Sequence, residues 1–409
     1  MSDVNGSNGV RQGCSILRPA RVLLACALVA LGGGCASKLP SDAIANETFL
    51  KSDTIEIALG KDATDSPPLT IQFLGVGGFS LEAPDRKIIT APSYSNPSLW
   101  RMLPGVTIEP KKKYIDEAFP HSLRSNGAVG PPSVEAVLVG HSHYDHLLDV
   151  PRLLDMHIPG AKVYGSETMS AILNVKGYRC GGPGDPDAVA VHLRDQVDKE
   201  WVELGEEGDR RFRILPMTSS HAPHLLGRTF QKGKRECGDT FTVRTAWDWE
   251  MGEVYAYLID YVDTRTDAIL YRIFYQDSAG TVALDKQCGG DGQASCETFC
   301  AQDHGDTRYL QCEIQERWVD IALVTLAGAD KEPGTGRQAP RALVETLQAD
   351  LYIVGHWEDF FGSHGKEPRV ARGSDARAYI DNLDASISQG AQWVLPLPGE
   401  SISINTPVQ

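Results

Sequence analysis

The feature that most constrains the fold of this chain is a short apolar run that ends in a cluster of metal-ligating side chains. The run "VEAVLVG", residues 134–140, has the length of a buried strand, and "HSHYDH" follows it at 141–146. Because alternate residues of an extended chain share a face, His141 and His143 point to one side, and Asp145 and His146 follow as the chain turns. Neutral imidazoles and carboxylates suit a borderline ion such as zinc.

Further donors follow three later predicted strands. His221 comes after "RFRILPM", Asp277 directly after "AILYRIFYQ", and His356 directly after "DLYIVG". One ion needs three or four ligands, so a clustered motif with additional donors at strand ends predicts a metal site. The histidines interpreted instead as surface or packing residues are His121, His157, His192 and His304.

The remaining pattern predicts a layered α/β protein with its chemistry on the loops at strand ends. The other predicted strands are "LTIQFLGVGGFSLEA", "RKIITAP", "AKVYGS", "EVYAYLIDYV", "DIALVTLAG" and "QWVLPLP". Helical spacing of apolar residues predicts helices over "ETMSAILNV", "QAPRALVETLQ" and "GSDARAYIDNLDASISQ".

The N-terminal region has the features of an export signal. Arg18 and Arg21 precede "VLLACALVALGGG", which has the length of a signal-peptide apolar region and is short for a membrane span. Cys35 follows three glycines and resembles the lipobox cysteine of bacterial lipoproteins. This predicts a signal peptide at 1–34, a lipid-anchor cysteine with a flexible tether at 35–66, and a folded domain at 67–409. The predicted location is the bacterial cell envelope, as a periplasm-facing lipoprotein of the outer membrane; ordinary secretion with Cys35 retained is the alternative.

Six cysteines beyond Cys35 agree with an exported protein. Their even number suits disulfides in an oxidising compartment, although the sequence leaves their pairing open. Four of them lie within "CGGDGQASCETFCAQDHGDTRYLQC", which predicts a disulfide-stapled surface insertion at about 286–313. A zinc knuckle is the competing interpretation, but the stretch has no CxxC pair.

The charge of the chain excludes one class of partner. A formal net charge of -15 disfavours binding to a nucleic-acid backbone, which requires a basic surface. A small-molecule or lipid-like substrate and, through a lipidated Cys35, a membrane are the expected partners.

The motif and the three later donors together resemble the metallo-β-lactamase superfamily over roughly residues 69–400. This resemblance implies an αββα four-layer sandwich with a dinuclear site at one edge, between the two sheets. It also implies that His141, His143 and His221 hold one metal. Asp145, His146 and His356 would hold the other, with Asp277 bridging. The implied cofactors are two divalent ions, zinc in the first instance, with manganese or iron as alternatives.

The resemblance further implies hydrolysis by a metal-bound hydroxide. Asp145 or Asp277 would orient that hydroxide or receive its proton. His224 and His364 are the candidates for protonating the leaving group, although each can equally be an exposed loop histidine.

A narrower resemblance concerns the substrate. The stretches "IQFLGVGGFSLEA", "HSHYDH" and "TAWDWEMGEVYAYLID" resemble the branch that contains N-acylphosphatidylethanolamine-hydrolysing phospholipase D and ascorbate phosphate lactonase. The chain departs from that branch at Ala91, which precedes Pro92 where the branch carries a buried supporting aspartate. The resemblance favours phosphodiester or phospholipid-like substrates. Lactone or other ester hydrolysis, and a non-catalytic envelope lipoprotein, are the alternatives.

Two long segments, one before the motif and one after His221, are predicted to border the site. Their aromatic residues, and those of "HWEDFFGSHG", either form an apolar groove for an acyl chain or lactone ring or belong to the core. The residues concerned are Leu225, Leu226, Phe230, Trp247, Trp249, Trp357, Phe360 and Phe361. Glu358 and Asp359 disfavour a strongly anionic ligand unless the metals neutralise it.

Overall fold

The computed structural model describes residues 54–58, 66–125, 133–223, 229–280, 288, 294–329, 339–361 and 368–405. The predicted signal peptide and Cys35 lie outside these residues, so both remain predictions. Within the described ranges, no helix combines the length and the apolar character that a membrane crossing requires.

The strands form two mixed sheets. They are β1 (Thr54–Ala58), β2 (Leu69–Gly75), β3 (Gly78–Glu82), β4 (Lys87–Thr90), β5 (Val134–Leu138), β6 (Lys162–Gly165), β7 (Cys180–Gly181), β8 (Ala190–His192), β9 (Val202–Glu203), β10 (Arg210–Thr218), β11 (Tyr255–Asp263), β12 (Ala268–Gln276), β13 (Ile321–Thr325), β14 (Leu351–Gly355), β15 (Gln392–Val394) and β16 (Ser401–Asn405). The first sheet has the order β1-β16-β2-β3-β4-β5-β6-β8-β7, and the second has the order β15-β14-β13-β12-β11-β10-β9.

Short helices connect and cover the strands. The α-helices are α1 (Lys112–Ala118), α2 (Tyr144–Leu147), α3 (Val150–Met156), α4 (Glu167–Val175), α5 (Cys296–Cys300), α6 (Leu310–Glu316), α7 (Ala339–Leu347) and α8 (Ala376–Ser386). Turns of 3-10 helix lie at Leu99–Met102, His121–Leu123 and Ala246–Asp248.

The two sheets pack face to face, with helices on the outer face of each. Strand β5 shows the alternation: Leu138 belongs to the core between the sheets, whereas Val137 packs in a second core. That second core includes Leu153 of α3 and Ile172 of α4. On the far side, α7 and α8 cover the second sheet. The αββα four-layer sandwich predicted from the sequence is therefore confirmed.

One predicted strand is two strands in the structure. "LTIQFLGVGGFSLEA" forms β2 and β3, which pair antiparallel around a turn at Val76 and Gly77. The chain reverses there because Gly75 (φ 101°) and Val76 (φ 53°) both adopt left-handed backbone conformations. Glycine accepts this conformation readily, but a β-branched valine does so only under strain.

Part of the segment predicted as a flexible tether, residues 54–58, is a strand. These residues form β1, which pairs in parallel with β16 along its whole length. Three of the five residues of "TIEIA" are β-branched, a composition that suits a strand. Its partner lies at the other end of the chain, so the pairing has no local sequence signal.

The cysteines form disulfides, as the sequence predicts. Cys180 pairs with Cys237, Cys288 with Cys296, and Cys300 with Cys312. Two of these bonds tie the insertion between β12 and β13, in which α5 and α6 lie. The zinc-knuckle interpretation is wrong, because all four of its cysteines are consumed in disulfides.

Candidate metal centre

The carboxyl ends of four strands meet at one edge of the sandwich, where the predicted ligands lie. The motif follows β5 in the first sheet. In the second sheet, β10 and β12 are each antiparallel to β11, and β12, β13 and β14 are mutually parallel. Strands β10, β12 and β14 therefore run in the same direction. Because parallel strands end at the same edge, His221, Asp277 and His356 arrive together.

The structure brings all seven sequence-predicted ligands together in three overlapping groups. The first ligand cluster is His141, His143 and His221; the second ligand cluster is Asp145, His146 and His356; the linking cluster is His141, His146 and Asp277. In each group, one donor atom per residue lies within 4.8 Å of the others. The linking cluster shares a histidine with each of the other two.

The imidazole rings are packed directly against one another. The ring centroid of His141 lies 4.7 Å from that of His143 and 4.5 Å from that of His221. In the second ligand cluster the rings of His146 and His356 are 5.2 Å apart. Nε2 of His146 and Nε2 of His356 lie 3.7 and 3.6 Å from Oδ2 of Asp145. The nitrogen and oxygen donors thus converge instead of pointing to solvent.

The motif loop holds the carboxylate of Asp277. Oδ2 accepts hydrogen bonds from the backbone N–H groups of Gly140 (2.9 Å) and His141 (3.2 Å). Oδ1 lies 3.0 Å from Nδ1 of His141. Close packing around the site requires glycine: a Cβ on Gly140 would lie 2.3 Å from Oδ1 of Asp277. The linking carboxylate is consequently oriented before any metal binds.

One histidine has a defined tautomer. Nδ1 of His221 lies 2.5 Å from the carbonyl oxygen of Ala222, so Nδ1 carries the proton and donates it. Nε2 is then the basic nitrogen, the form in which an imidazole binds a metal.

The residues fit the binding of divalent metal ions. Nε2 of His141 and both ring nitrogens of His146 are buried and have no hydrogen-bond partner within the described part of the chain. Buried polar atoms without partners cost free energy, and a metal would satisfy these. Burial also lowers the pKa of His141 well below its ordinary value, and neighbouring His146 and His221 act in the same direction. His141 is therefore neutral near pH 7, as a metal ligand must be.

Tyrosines of the second sheet support the loops of the first. The buried hydroxyl of Tyr257 donates to the carbonyl of Val139 (2.8 Å), two residues before His141. The hydroxyl of Tyr275 donates to the carbonyl of Gly77 (2.9 Å) in the β2–β3 turn. The sequence predicts the strands that carry these tyrosines but assigns them no role.

Two further buried carboxylates support the site and were missed. Asp149, eight residues after His141, accepts hydrogen bonds from the backbone N–H groups of Tyr94 (2.7 Å) and Ser95 (2.8 Å). It thereby anchors the segment that follows β4. It stands at the end of "HSHYDHLLD", between α2 and α3 and directly after two buried leucines, a usable sequence signal. Glu358 accepts a hydrogen bond from the backbone N–H of Val76 (2.5 Å). Burial raises the pKa of both carboxyls.

The remaining predicted candidates divide into two groups. His224 and His364, the candidates for leaving-group protonation, lie outside the described residues, so their role stays a prediction. His157 is a packing residue, as predicted: Nε2 lies 2.9 Å from Asp116, and the ring stacks on Phe119.

The aromatic residues near the site are partly core and partly surface. Trp249 and Trp357 are buried, whereas Trp247 is 39% exposed. The half-buried ring of Phe360 stands edge-on to the ring of the predicted ligand His356, at 5.1 Å. Leu225 and Leu226 lie outside the described residues. Phe360 is thus an apolar surface beside the second ligand cluster.

The chain was also compared with known proteins. No protein-family model matches it, and no curated protein sequence does. Among solved structures it is similar to Igni18, a metallo hydrolase from the hyperthermophilic archaeon Ignicoccus hospitalis. The two share 14% identity with a TM-score of 0.38, and the match covers 83% of this chain and 100% of that one. It is similar to YhfI of Bacillus subtilis, a metallo-β-lactamase fold protein, with 11% identity and a TM-score of 0.40 over 82% of this chain and 99% of that one.

A third similar structure is CmlA of Streptomyces venezuelae, a diiron β-hydroxylase, with 12% identity and a TM-score of 0.40. The match covers 83% of this chain and 54% of that one. At these identities the similarity concerns the fold. The chemistry of the site rests on the seven residues of this chain.

Proposed function

We propose that this chain is an exported hydrolase that uses two divalent metal ions to cleave phosphodiester or phospholipid-like substrates. The observation that carries the proposal is the set of three overlapping donor clusters, joined through His141, His146 and Asp277. A single-ion site would need only three or four of these donors.

The chemistry divides between the metals and the chain. When bound, divalent ions would lower the pKa of a coordinated water and polarise the scissile substrate oxygen. Asp277 orients the two positions, because both of its oxygens are already engaged by Gly140 and His141. Asp145 and Asp277 are both candidates for orienting the attacking water or receiving its proton. His224 remains the candidate for protonating the leaving group.

Two observations support an amphiphilic substrate. Phe360 lies against His356, so an apolar substituent of the substrate would find a partner beside the second ligand cluster. The acidic residues beside it do not compete for the metals: Glu358 is buried against Val76, and Asp359 pairs with Arg372 at 3.2 Å. The expectation that these two acids oppose an anionic ligand is therefore weakened, because one is buried and the other is neutralised.

Export to the bacterial envelope is part of the proposal. The apolar segment before Cys35 has the length of a signal peptide, and the three disulfides are the form that cysteines take in oxidising compartments. Lipidation of Cys35 would place the domain at the periplasmic face of the outer membrane. Mass spectrometry of the mature N-terminus distinguishes a lipidated Cys35 from an unmodified one.

A substrate panel tests the reaction. The zinc-loaded protein is assayed on a phosphodiester, a phospholipid, a lactone and a β-lactam, with the Asp145→Ala variant as the blank. We expect hydrolysis of the phosphodiester or the phospholipid, and its loss in the variant. Hydrolysis of lactones alone would contradict the substrate assignment. A metal-binding protein inert on all four would instead support the non-catalytic alternative.

A further inference from the structure

We propose that Glu358 is a positioning residue for the metal ligand His356, and that it acts by fixing the β2–β3 turn. This inference rests on the proposed two-metal function, because it concerns the second ligand cluster. Glu358 is 6% exposed and stands two residues after His356. It is 282 residues away in sequence from the turn that it contacts.

Two residues with strained backbones lie in contact at this point. Val76 has φ 53° and His356 has φ 47°, both in the left-handed region. A β-branched residue rarely adopts this conformation, and strained conformations persist only where the surroundings enforce them. His356 must turn sharply at the end of β14 to present its ring to Asp145, so its strain is tied to its place in the cluster.

Hydrogen bonds link Val76 to the segment 356–358 in both directions. The backbone N–H of His356 donates to the carbonyl of Val76 at 2.7 Å. The backbone N–H of Val76 donates to Oε1 of Glu358 at 2.5 Å. The segment 356–358 therefore engages both polar backbone groups of Val76. Without the carboxylate, the buried N–H of Val76 would lose its acceptor, and the left-handed turn would lose one of its two restraints.

The same turn contacts a second ligand of the cluster. Gly77 follows Val76, and a Cβ at Gly77 would lie 2.9 Å from the ring of His146. The carbonyl of Gly77 is also fixed, because the hydroxyls of Thr90 (2.7 Å) and Tyr275 (2.9 Å) donate to it. A shift of the turn would thus disturb both His356 and His146. Two of the three members of the second ligand cluster depend on it.

The first ligand cluster is held by different contacts. His141 is oriented by Asp277, and His221 by the carbonyl of Ala222. Loss of the Glu358 contact should therefore weaken one metal position and spare the other. A merely structural role for Glu358 would instead lower the stability of the whole domain without distinguishing the two positions.

The experiment compares two size-matched variants of the full chain. Glu358→Gln keeps an oxygen acceptor for Val76, whereas Glu358→Met keeps the volume and removes the acceptor. Metal-stripped protein is titrated with Zn²⁺ by calorimetry. For Glu358→Met we expect one of the two binding steps to lose about 10- to 100-fold in affinity, the range typical of lost supporting contacts around a metal, while the other step changes by less than about 3-fold. Glu358→Gln should bind both ions with about the affinity of the parent.

A control variant distinguishes the loss of a positioning contact from a general loss of stability. Asp320 is another buried carboxylate that accepts a backbone hydrogen bond, from Arg272 at 2.7 Å, but it precedes β13, at the opposite end of the strands from the metal centre. Asp320→Ala should destabilise the fold without changing either Zn²⁺ step. If Glu358→Met does not fold, Glu358→Ala replaces it, with the same expected loss.

Three outcomes would overturn the inference. They are parent-like binding of both ions by Glu358→Met, an equal loss at both steps, and a loss in Glu358→Gln as large as that in Glu358→Met. Failure of the proposed function would appear in the parent protein itself, which would then bind fewer than two ions or hydrolyse none of the substrates.

Discussion

The carboxylate of Asp277 accepts a hydrogen bond of 2.9 Å from the backbone N–H of Gly140, across 137 residues of sequence. This contact joins the end of β12 in the second sheet to the end of β5 in the first. The position of Asp277, which is proposed to link the two metals, therefore depends on the loop that carries the metal motif. The position of that loop depends in turn on Asp277. The geometry of the centre depends on the packing of the two sheets.

Substitution of Gly140 should disrupt the centre without unfolding the domain. In Gly140→Ala the new Cβ would lie 2.3 Å from Oδ1 of Asp277, so the carboxylate must move. We expect kcat/KM to fall about 100-fold, the effect typical of displacing a reacting group by about 1 Å. Gly160→Ala is the matched control, because a Cβ there meets nothing within 4 Å. Equal activity of the two variants would contradict the steric role of Gly140.

Removal of the Tyr257 hydroxyl should destabilise the loop that carries the metal motif. Tyr257→Phe deprives the carbonyl of Val139 of its buried donor, which should lower the free energy of unfolding by about 1 to 3 kcal/mol. Tyr255 lies in the same strand, and its hydroxyl makes no hydrogen bond to another described residue. Tyr255→Phe should therefore change stability by less than about 0.5 kcal/mol. Urea denaturation measures both, and similar losses would argue against the specific role of Tyr257.

Acidification should destabilise the metal-free chain through its buried histidines. Burial lowers the folded-state pKa of His141 and of His146 below the ordinary value of 6.5. Between the lowered values and 6.5, the unfolded chain binds protons that the folded chain does not, so the free energy of unfolding falls as the pH falls. We expect the urea midpoint of chelator-treated protein to decrease from about pH 7 to about pH 5. A midpoint that rises over this range would contradict the burial of neutral histidines.

The disulfides should differ in their contribution to stability. Cys180–Cys237 spans 57 residues, whereas Cys288–Cys296 spans 8. A crosslink that closes a longer loop removes more entropy from the unfolded chain, so the double alanine variants should lose about 4 and about 2 kcal/mol, respectively. Chemical denaturation of the two variants checks the order. The opposite order would show that native packing outweighs loop entropy.

The convergence of the donors could be predicted from the sequence because they follow the ends of strands. His221, Asp277 and His356 have no common motif, but parallel strands end at the same edge, and the apolar runs before these residues mark those ends. The sequence therefore predicts both the sandwich and the convergence of donors upon it.

The supporting contacts could not be predicted in the same way. Val76 adopts a left-handed backbone conformation that valine disfavours. The groups that stabilise this conformation lie some 280 residues later in the sequence. Glu358 resembles a surface acid in sequence, because its burial depends on that distant turn. Strand β1 was likewise missed, since its partner β16 lies at the far end of the chain.

The most direct test of the central claim is the number of Zn²⁺ ions that the full chain binds, measured alongside hydrolysis. The parent protein should bind two ions per chain and hydrolyse a phosphodiester or phospholipid. His143→Ala, which alters only the first ligand cluster, should bind one ion tightly and lose hydrolysis. A parent chain that binds one ion or none, or that hydrolyses its substrate equally well after metal removal, would contradict the two-metal account.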